Sequence, residues 1–307
     1  MRKEVNKNIL ITGANGFVGK HLINFLLKKK YNVSTLGTKP LKSTNFFKLE
    51  LPINYPNIEN TISLIKPRYI FHLAGSNPNA GLKECFQINT IFGIYILESI
   101  EKLNFDGMTK ILLLGSAAEY GLVAEKNLPI METSIAKPIT PYGISKLSMT
   151  YSALNWHNQH RHVTVVRPFS ILGSNMPVHM ALGNFFHQIS HLESNEINVG
   201  NLKTKRDFID IRDFIDCIYK LIKENKSSGQ IVNVCSSKPT SIKEILNFYI
   251  ENKKRKVSLK FNKNLTRKND MDVNFGSNEK LKSIINISNL KNWQKSVLEI
   301  IKTENFS

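Results

Sequence analysis

Cysteine is scarce in this chain of 307 residues, which contains Cys85, Cys217 and Cys235 at widely separated positions. Their spacing matches no metal-binding motif, so we expect buried thiols of a reducing compartment and no metal site.

Long apolar runs are also lacking. No stretch approaches the roughly 18 apolar residues of a membrane span, and the first apolar run is too short for a signal peptide. We therefore expect a soluble, cytoplasmic protein that has no membrane partner.

Acidic residues are few, because 24 Asp and Glu stand against 42 Lys and Arg and leave a net charge of +18. Such a balance can indicate nucleic-acid binding. Here most basic residues are scattered lysines on predicted solvated helix faces, and the densest cluster, 253–268, has the pattern of a surface strand and loop. We therefore predict no nucleic-acid partner and expect some of the charge to face an anionic, nucleotide-bearing substrate.

The most informative segment begins with an apolar strand at 9–12, which leads directly into a glycine-rich turn and an amphipathic helix predicted over 17–30. Glycines let the backbone pass close to a pyrophosphate, and the helix start offers free N–H groups and the positive end of its dipole. The Gly-x-x-Gly-x-x-Gly spacing is one residue longer than the common dinucleotide fingerprint. The residues expected to contact the cofactor are Gly13, Asn15, Gly16, Phe17, Val18 and Gly19.

The second predicted strand, 32–36, ends in Gly37, Thr38 and Lys39. A site specific for NAD usually has an acidic residue here, which accepts a hydrogen bond from the ribose 2′-hydroxyl. A hydroxyl and a cation suit a 2′-phosphate better, so Thr38 and Lys39 favour NADP, with NAD as the second possibility. The alternative is that Lys39 is only a surface loop residue.

Short apolar strands alternate with helical patterns through the first half, which is typical of a parallel sheet with helices on both faces. One strand contains His72, which we expect to be structural, and ends in Leu73, Ala74 and Gly75, where a cofactor can cross the strand end. A long helix is predicted over about 80–103. The next strand brings Ser116 to its carboxyl end, where open α/β sheets place their chemistry.

Tyr142 and Lys146 are four residues apart and lie on one face of a predicted helix. The ammonium is expected to lower the pKa of the phenol from about 10 toward the operating pH, as a general acid or base requires. A chance pair of this kind is usually structural. This pair follows a sheet-end serine and a glycine turn in the order that one nucleotide-binding fold needs, so we predict that Ser116, Tyr142 and Lys146 are catalytic.

Together these motifs resemble the extended short-chain dehydrogenase/reductase family of nucleotide-sugar epimerases, dehydratases and reductases. The TGxxGxxG turn matches 12–19, the catalytic Ser/Thr strand end matches Ser116, and the YxxxK pair matches Tyr142 and Lys146. We expect an α/β fold, with a Rossmann-like doubly wound parallel sheet and a smaller C-terminal α+β substrate-binding domain. The predicted cofactor domain spans 1–169 and is completed by about 207–235, and the substrate domain comprises 170–206 and 236–307.

Within the family, the segments 115–121, 200–213, 232–237 and 267–281 are most similar to reductases of GDP-linked 4-keto-6-deoxyhexoses. The resemblance implies reduction of the sugar C4 ketone by NADPH, giving GDP-D-rhamnose or a related sugar for surface polysaccharide. Tyr142 would donate the proton, Ser116 would orient the carbonyl oxygen, and Lys146 would hold the nicotinamide ribose.

Other site residues are expected along the second half of the chain. A guanidinium matches phosphate oxygens, so Arg206 and Arg267 are expected on the substrate diphosphate, with ion pairs to Asp207, Asp210 or Asp213 as the structural alternative. Arg167 is expected at the cofactor. Ser170 is expected at a substrate contact where the family has asparagine, and Lys268 replaces a proline of the family's pattern.

Three rival functions follow from the same motifs. A 4,6-dehydratase needs an acid and a base at positions where this chain has Ala117 and Ala118, which speaks against dehydration. A 4-epimerase needs only the same Ser, Tyr and Lys, so it stays open. A non-catalytic NADP-binding regulator is the third alternative, and the positive net charge is its best support.

The helices predicted over about 80–103 and 142–159 carry more apolar residues than one sheet-facing stripe requires. A helix that is apolar on most of its circumference is buried on both sides. The resemblance likewise implies a homodimer joined by a four-helix bundle. Ile96 and Trp156 are candidate interface residues if they face outward.

Overall fold

The computed structural model describes residues 6–158, 160–191, 195–266, 271–287 and 289–303. Its strands are β1 (Asn8–Thr12), β2 (Asn32–Gly37), β3 (Asn45–Lys48), β4 (Tyr69–His72), β5 (Lys110–Leu114), β6 (His162–Pro168), β7 (Ser170–Leu172), β8 (Glu196–Val199), β9 (Lys205–Asp210), β10 (Ile231–Val234), β11 (Pro239–Ser241), β12 (Ser258–Phe261) and β13 (Val273–Asn274).

The α-helices are α1 (Phe17–Lys28), α2 (Tyr55–Ile65), α3 (Leu82–Phe86), α4 (Phe92–Lys102), α5 (Pro141–Trp156), α6 (Ala181–Ser190), α7 (Ile211–Lys223), α8 (Ile242–Lys253), α9 (Glu279–Ile284) and α10 (Trp293–Thr303). A π-helical segment, Gln87–Ile91, joins α3 to α4, so the helix predicted over about 80–103 is built from three parts. Short 3₁₀ turns occur at Ala117–Tyr120, Glu125–Asn127, Asn225–Ser227 and Lys263–Leu265.

Seven parallel strands form the central sheet in the order β10-β6-β5-β4-β1-β2-β3. The chain moves outward from β1 through β2 to β3 and then returns to β4 on the other side of β1. This reversal is the switch point of a doubly wound sheet, next to which such folds bind their ligands. The predicted Rossmann-like fold is confirmed.

Both faces of the sheet are covered, which explains why its strands are continuous apolar runs. In β1, Ile9 and Ile11 join a core with α1 and α7, whereas the intervening Leu10 joins a second core with α2, α4 and α5. The alternation follows from the period of two along a strand.

A second sheet is centred on β9, which pairs with β7 and β13 in parallel and with β11 in antiparallel orientation. Strands β8 and β12 form a separate parallel pair. A third core, in which Phe186 stacks on Tyr249 at a centroid distance of 4.1 Å, lies among α6, α8 and α10. The strands β6 and β10 lie in the main sheet, and the domain boundaries themselves stay a prediction.

Two expectations about the surface can be compared with this fold. Ile96 and Trp156 are both buried in the core that covers one face of the sheet, so neither faces outward and neither is a candidate interface residue. No helix in the described parts of the chain has both the length and the apolar composition needed to cross a bilayer. The three cysteines are buried and free.

Candidate active site

The glycine-rich turn lies at the carboxyl end of β1 and packs directly against the end of β4. Gly13 has φ +69°, and a Cβ there would be 2.6 Å from the backbone nitrogen of Ala74. A Cβ at Gly19 would be 2.4 Å from the Gly13 carbonyl oxygen. Asn15 and Gly16 are exposed, and no side chain caps the start of α1 at Gly16. The turn therefore presents open backbone N–H groups to an anionic ligand.

The remaining predicted cofactor residues of this edge fall into two groups. The side chains of Phe17 and Val18 pack into the core, so only their backbone can face a ligand. Thr38 and Lys39 are exposed directly after β2, and a Cβ at the preceding Gly37 would be 3.8 Å from Asn15 Oδ1. The end of β2 and the glycine turn are thus neighbours.

The end of β4 is held by buried hydrogen bonds. Thr12 Oγ1 accepts from the backbone nitrogen of Ala74 at 3.3 Å and shares a hydrogen bond of 2.8 Å with His72 Nδ1. Burial, together with the charge of Lys146, lowers the pKa of His72 from 6.5 to about 3. His72 is therefore neutral and structural, as expected. Leu73 and Ala74 are buried, whereas Gly75 is exposed beside Lys146, since a Cβ there would be 3.5 Å from Lys146 Nζ.

Lys146 joins two neighbouring strand ends. Its buried Nζ donates to the carbonyl oxygen of Leu114 at 2.7 Å and to that of Ala74 at 3.5 Å. Burial lowers the pKa of Lys146 from 10.5 to about 8, and the nearby Glu119 carboxylate opposes this shift. The amine therefore carries its proton at neutral pH and loses it as the pH rises past about 8.

Tyr142 lies beside Lys146 and Ser116 at the start of α5. Burial raises the pKa of its phenol from 10 to about 12, hydrogen bonding by Ser116 opposes the shift, and the Glu119 and Cys85 groups add to it. The expectation that Lys146 lowers this pKa is wrong for this structure. The ammonium lies 5.8 Å from the ring centroid and donates to backbone carbonyls, so desolvation of the phenolate dominates.

Asn89 is a site residue whose role the sequence did not reveal. It lies in the π-helical segment, a feature that is frequent at functional sites. Its Oδ1 accepts from the backbone nitrogen of Ser76 at 2.9 Å, and its Nδ2 donates to Ser76 Oγ at 3.0 Å and to Ser145 Oγ at 2.9 Å. Asn89 thereby ties the loop after β4 to the helix of Tyr142. The available signal was a polar residue within an apolar helix.

Arg167 has a different environment from the one predicted. Its guanidinium is buried, forms an ion pair of 2.7 Å with Glu119 and lies over the Tyr120 ring at 4.5 Å from the centroid. The positive charge of Arg167 is therefore neutralised inside the protein by Glu119. The prediction that Arg167 contacts the cofactor is corrected, because its role in this structure is structural. A buried arginine needs such a partner, and the sequence offered no means of identifying Glu119 as that partner.

The predicted substrate residues lie around the second sheet. Arg206 is half-buried in β9, where its Nη1 donates to the carbonyl oxygen of Lys205 at 2.8 Å. Ser170 begins β7 and is paired with Phe208 of β9. Arg267 lies outside the described residues, as does Lys268.

The three aspartates near Arg206 have other partners. Asp207 accepts from the backbone nitrogens of Ser236 at 2.7 Å and Ser237 at 3.0 Å, so it fastens the loop after β10 to β9. Asp210 pairs with Arg212 at 2.7 Å, and Asp213 pairs with Lys291 at 2.5 Å.

A doubly wound parallel sheet with a glycine-rich turn at the end of β1 is the architecture of enzymes that bind a dinucleotide. The chain matches the NAD dependent epimerase/dehydratase family over residues 9–235, and it therefore belongs to this family. The family comprises NAD(P)-dependent nucleotide-sugar oxidoreductases and epimerases.

The chain is similar to two named enzymes and to one solved structure. It is 29% identical to GDP-6-deoxy-D-talose 4-dehydrogenase of Aggregatibacter actinomycetemcomitans over 90% of both chains. It is also 29% identical to GDP-6-deoxy-D-mannose reductase of Pseudomonas aeruginosa over 79% of both. The structure of RMD from Pseudomonas aeruginosa complexed with NADPH covers 96% of this chain and 97% of its own, at 25% identity and a TM-score of 0.79.

The expected nicotinamide cofactor is confirmed by this family membership and by the NADPH of the Pseudomonas structure. The residues of this chain fit such a group. The glycines let the turn pack closely against the strand end, the start of α1 has no side-chain cap on its N–H groups, and Gly75 exposes the strand end beside Lys146.

Proposed function

We propose that this protein reduces the C4 ketone of a nucleotide-linked 4-keto-6-deoxyhexose with NADPH. The observation that carries the proposal is the convergence of Ser116, a protonated Tyr142 and a charged Lys146 at the sheet edge that bears the glycine turn. The relatives support it, because both of those named are enzymes of GDP-linked 6-deoxyhexoses whose names specify a dehydrogenase or a reductase.

The proton chemistry follows from the protonation states of these residues. When NADPH is bound, it would supply the hydride for C4. Tyr142, whose pKa is raised to about 12, holds its proton at neutral pH and donates it to the carbonyl oxygen as negative charge develops there. Ser116 Oγ accepts from the backbone nitrogen of Ala118 at 3.1 Å and is hydrogen-bonded to Tyr142, and its hydroxyl proton would be donated to the same carbonyl oxygen when the sugar is bound. Lys146 holds the nicotinamide ribose and supplies positive charge nearby.

The proposed substrate carries GDP, and the proposed product is GDP-D-rhamnose or a closely related sugar. The names of the two relatives contain 6-deoxy-D-mannose and 6-deoxy-D-talose, which differ in configuration at C4. Which one is formed depends on the sugar face that meets the hydride. We assign Thr38 and Lys39 to the 2′-phosphate of NADP, and Arg206 and Arg267 to the substrate diphosphate.

The purified protein should be assayed with GDP-, dTDP-, CDP- and UDP-linked 4-keto-6-deoxyhexoses by following NADPH absorbance. We expect the GDP sugar to react fastest, with one NADPH consumed per product, and NMR of the product to give its C4 configuration. Interconversion of C4 epimers without net NADPH consumption would make the protein an epimerase. Salt-sensitive DNA binding without turnover of any sugar would favour the regulator.

We also propose that the protein is a homodimer joined by a four-helix bundle that includes α5. Four apolar residues of this helix, spaced three, four and three apart, share one face and belong to none of the three cores. They are Ile144, Leu147, Tyr151 and Leu154. The second copy of the same helix is the surface that would bury this stripe about a two-fold axis.

Tyr151, whose exposed fraction is 59%, gives the test of the dimer. The substitution Tyr151→Glu places a charge in the proposed apolar interface and is expected to raise the dimer dissociation constant by at least about 10-fold. Sedimentation velocity over a concentration series measures this constant. The control is Leu64→Glu on α2, where the native side chain is 66% exposed, and it should leave the dimer intact. A wild-type protein that sediments as a fully active monomer at micromolar concentration contradicts the proposal.

A further inference from the structure

Glu119 is a fully buried acidic residue, with an exposed fraction of 0%, in the 3₁₀ turn that follows Ser116. Its carboxylate accepts hydrogen bonds from the backbone nitrogen of Ser116 at 2.9 Å, from Thr150 Oγ1 at 2.8 Å and from Arg167 Nε at 2.8 Å. It therefore connects the serine loop, α5 and β6 at one point.

The turn is built around this carboxylate. Ser116 Oγ accepts from the backbone nitrogen of Ala118, while Glu119 accepts from the backbone nitrogen of Ser116, so the two side chains close the turn reciprocally. A Cβ at Gly115 would be 2.5 Å from Glu119 Oε1. The glycine before the serine is therefore needed to make room for the glutamate three residues after it.

We propose that Glu119 is a positioning residue of the active site, which fixes the Ser116 backbone against α5 and places a negative charge beside Tyr142 and Lys146. The inference rests on the proposed function, in which these three residues act on the sugar ketone. This role is additional to the ion pair with Arg167, because a buried arginine needs such a partner in any case.

The negative charge of Glu119 shifts the pKa values of Lys146 and Tyr142 in the same direction. It raises the pKa of Lys146 against the effect of burial, and it adds to the raised pKa of Tyr142. Removing the charge therefore makes both groups lose their protons at lower pH. Because the pKa of Lys146 is about 8 and that of Tyr142 about 12, an alkaline decline near pH 8 reports on Lys146.

Other charged and titratable groups also face this cluster. Burial lowers and Glu119 raises the pKa of Arg167, with a net rise, so the guanidinium stays charged. His72 is neutral because its pKa is about 3. The remaining groups are Tyr120 on the same turn, whose pKa is raised to about 12, the Cys85 thiol facing Tyr142, and Glu132 and Lys280 beyond Arg167.

The test compares Glu119→Gln with Glu119→Asp and Thr150→Val. In Glu119→Gln we expect kcat to fall about 10-fold and the alkaline limb of the kcat profile to move about one unit toward neutral pH. Glu119→Asp keeps the negative charge, so the alkaline limb of its kcat profile should stay at the wild-type pH, even if the shorter side chain lowers kcat. Thr150→Val removes one hydrogen bond and no charge, so it should lower stability without moving the limb.

A second readout separates this inference from the proposed function. NADPH binding, followed by the cofactor's fluorescence from pH 6 to 10, needs no sugar and should show the same acid shift in Glu119→Gln. If no 4-keto sugar reacts, the proposed function fails while this binding profile still tests Glu119. If the single variant does not fold, Glu119→Gln/Arg167→Gln leaves no unpaired buried charge and should shift the profile in the same direction. A folded Glu119→Gln or Glu119→Gln/Arg167→Gln protein that keeps the wild-type alkaline limb overturns the proposal.

Discussion

Replacing Tyr142 by phenylalanine is expected to lower kcat by about 100-fold or more, the range for the loss of a general acid. The substitution removes only the phenolic hydroxyl group, which keeps its proton at neutral pH. It keeps the ring beside the Lys146 amine, which lies 5.8 Å from the ring centroid and donates hydrogen bonds to the backbone carbonyls of Leu114 and Ala74. NADPH affinity should therefore change by less than about 3-fold, because Lys146 and the glycine turn are untouched.

The measurement is steady-state NADPH oxidation with the sugar identified in the substrate assay, together with fluorescence titration of NADPH. Tyr95→Phe is a matched control, since Tyr95 lies on α4 and packs edge-on against Tyr55 at a centroid distance of 5.7 Å. It removes a phenolic hydroxyl from the same side of the sheet and should leave turnover unchanged. Undiminished turnover by the Tyr142 variant would exclude this residue as the proton donor.

The raised pKa of Tyr142 matters for the direction of the reaction. Ketone reduction needs a protonated donor, and burial supplies it, because the phenol keeps its proton up to about pH 12. Oxidation of an alcohol needs the phenolate instead, so this environment favours the reductive direction near neutral pH. A 4-epimerase must oxidise an alcohol and reduce a ketone in each cycle. The raised pKa of Tyr142 disfavours the oxidation step, so it fits a reductase better than an epimerase.

The elements that could be predicted from the sequence depend on local spacing. Gly13, Gly16 and Gly19 identify the turn because a backbone that leaves a strand and enters a helix imposes this pattern. Tyr142 and Lys146 lie on one helix face because of the helical period. The apolar strands identify the parallel sheet in the same way, since both of its faces are buried.

The features that could not be predicted depend on which distant residues meet. Glu119 and Arg167 are 48 positions apart in the chain, and the hydrogen bond between them decides that the arginine is structural. The direction of the Tyr142 pKa shift depends on burial, which the spacing to Lys146 does not reveal. Trp156 faces inward although its helix is apolar on several sides, because an apolar pattern does not tell which face meets the sheet.

The substitution Gly13→Ala is expected to lower the free energy of unfolding by about 3 kcal/mol and to weaken NADPH binding by at least about 10-fold. The glycine has φ +69°, which disfavours an L side chain, and the added Cβ would be 2.6 Å from the Ala74 nitrogen and the Leu73 carbonyl carbon. These are backbone atoms of the two residues that follow β4, so relief requires the turn to move away from the strand end. That movement misplaces the N–H groups at the start of α1.

Urea denaturation and NADPH titration measure the two effects separately. Gly81→Ala is the matched control, because Gly81 has φ −66° and no atom lies within 4 Å of its Cβ position. It adds the same methyl group near the start of α3 and should be neutral for both quantities. A Gly13→Ala protein that loses stability but binds NADPH normally would show that the turn tolerates displacement. The cofactor phosphates would then have to be held elsewhere than at the start of α1.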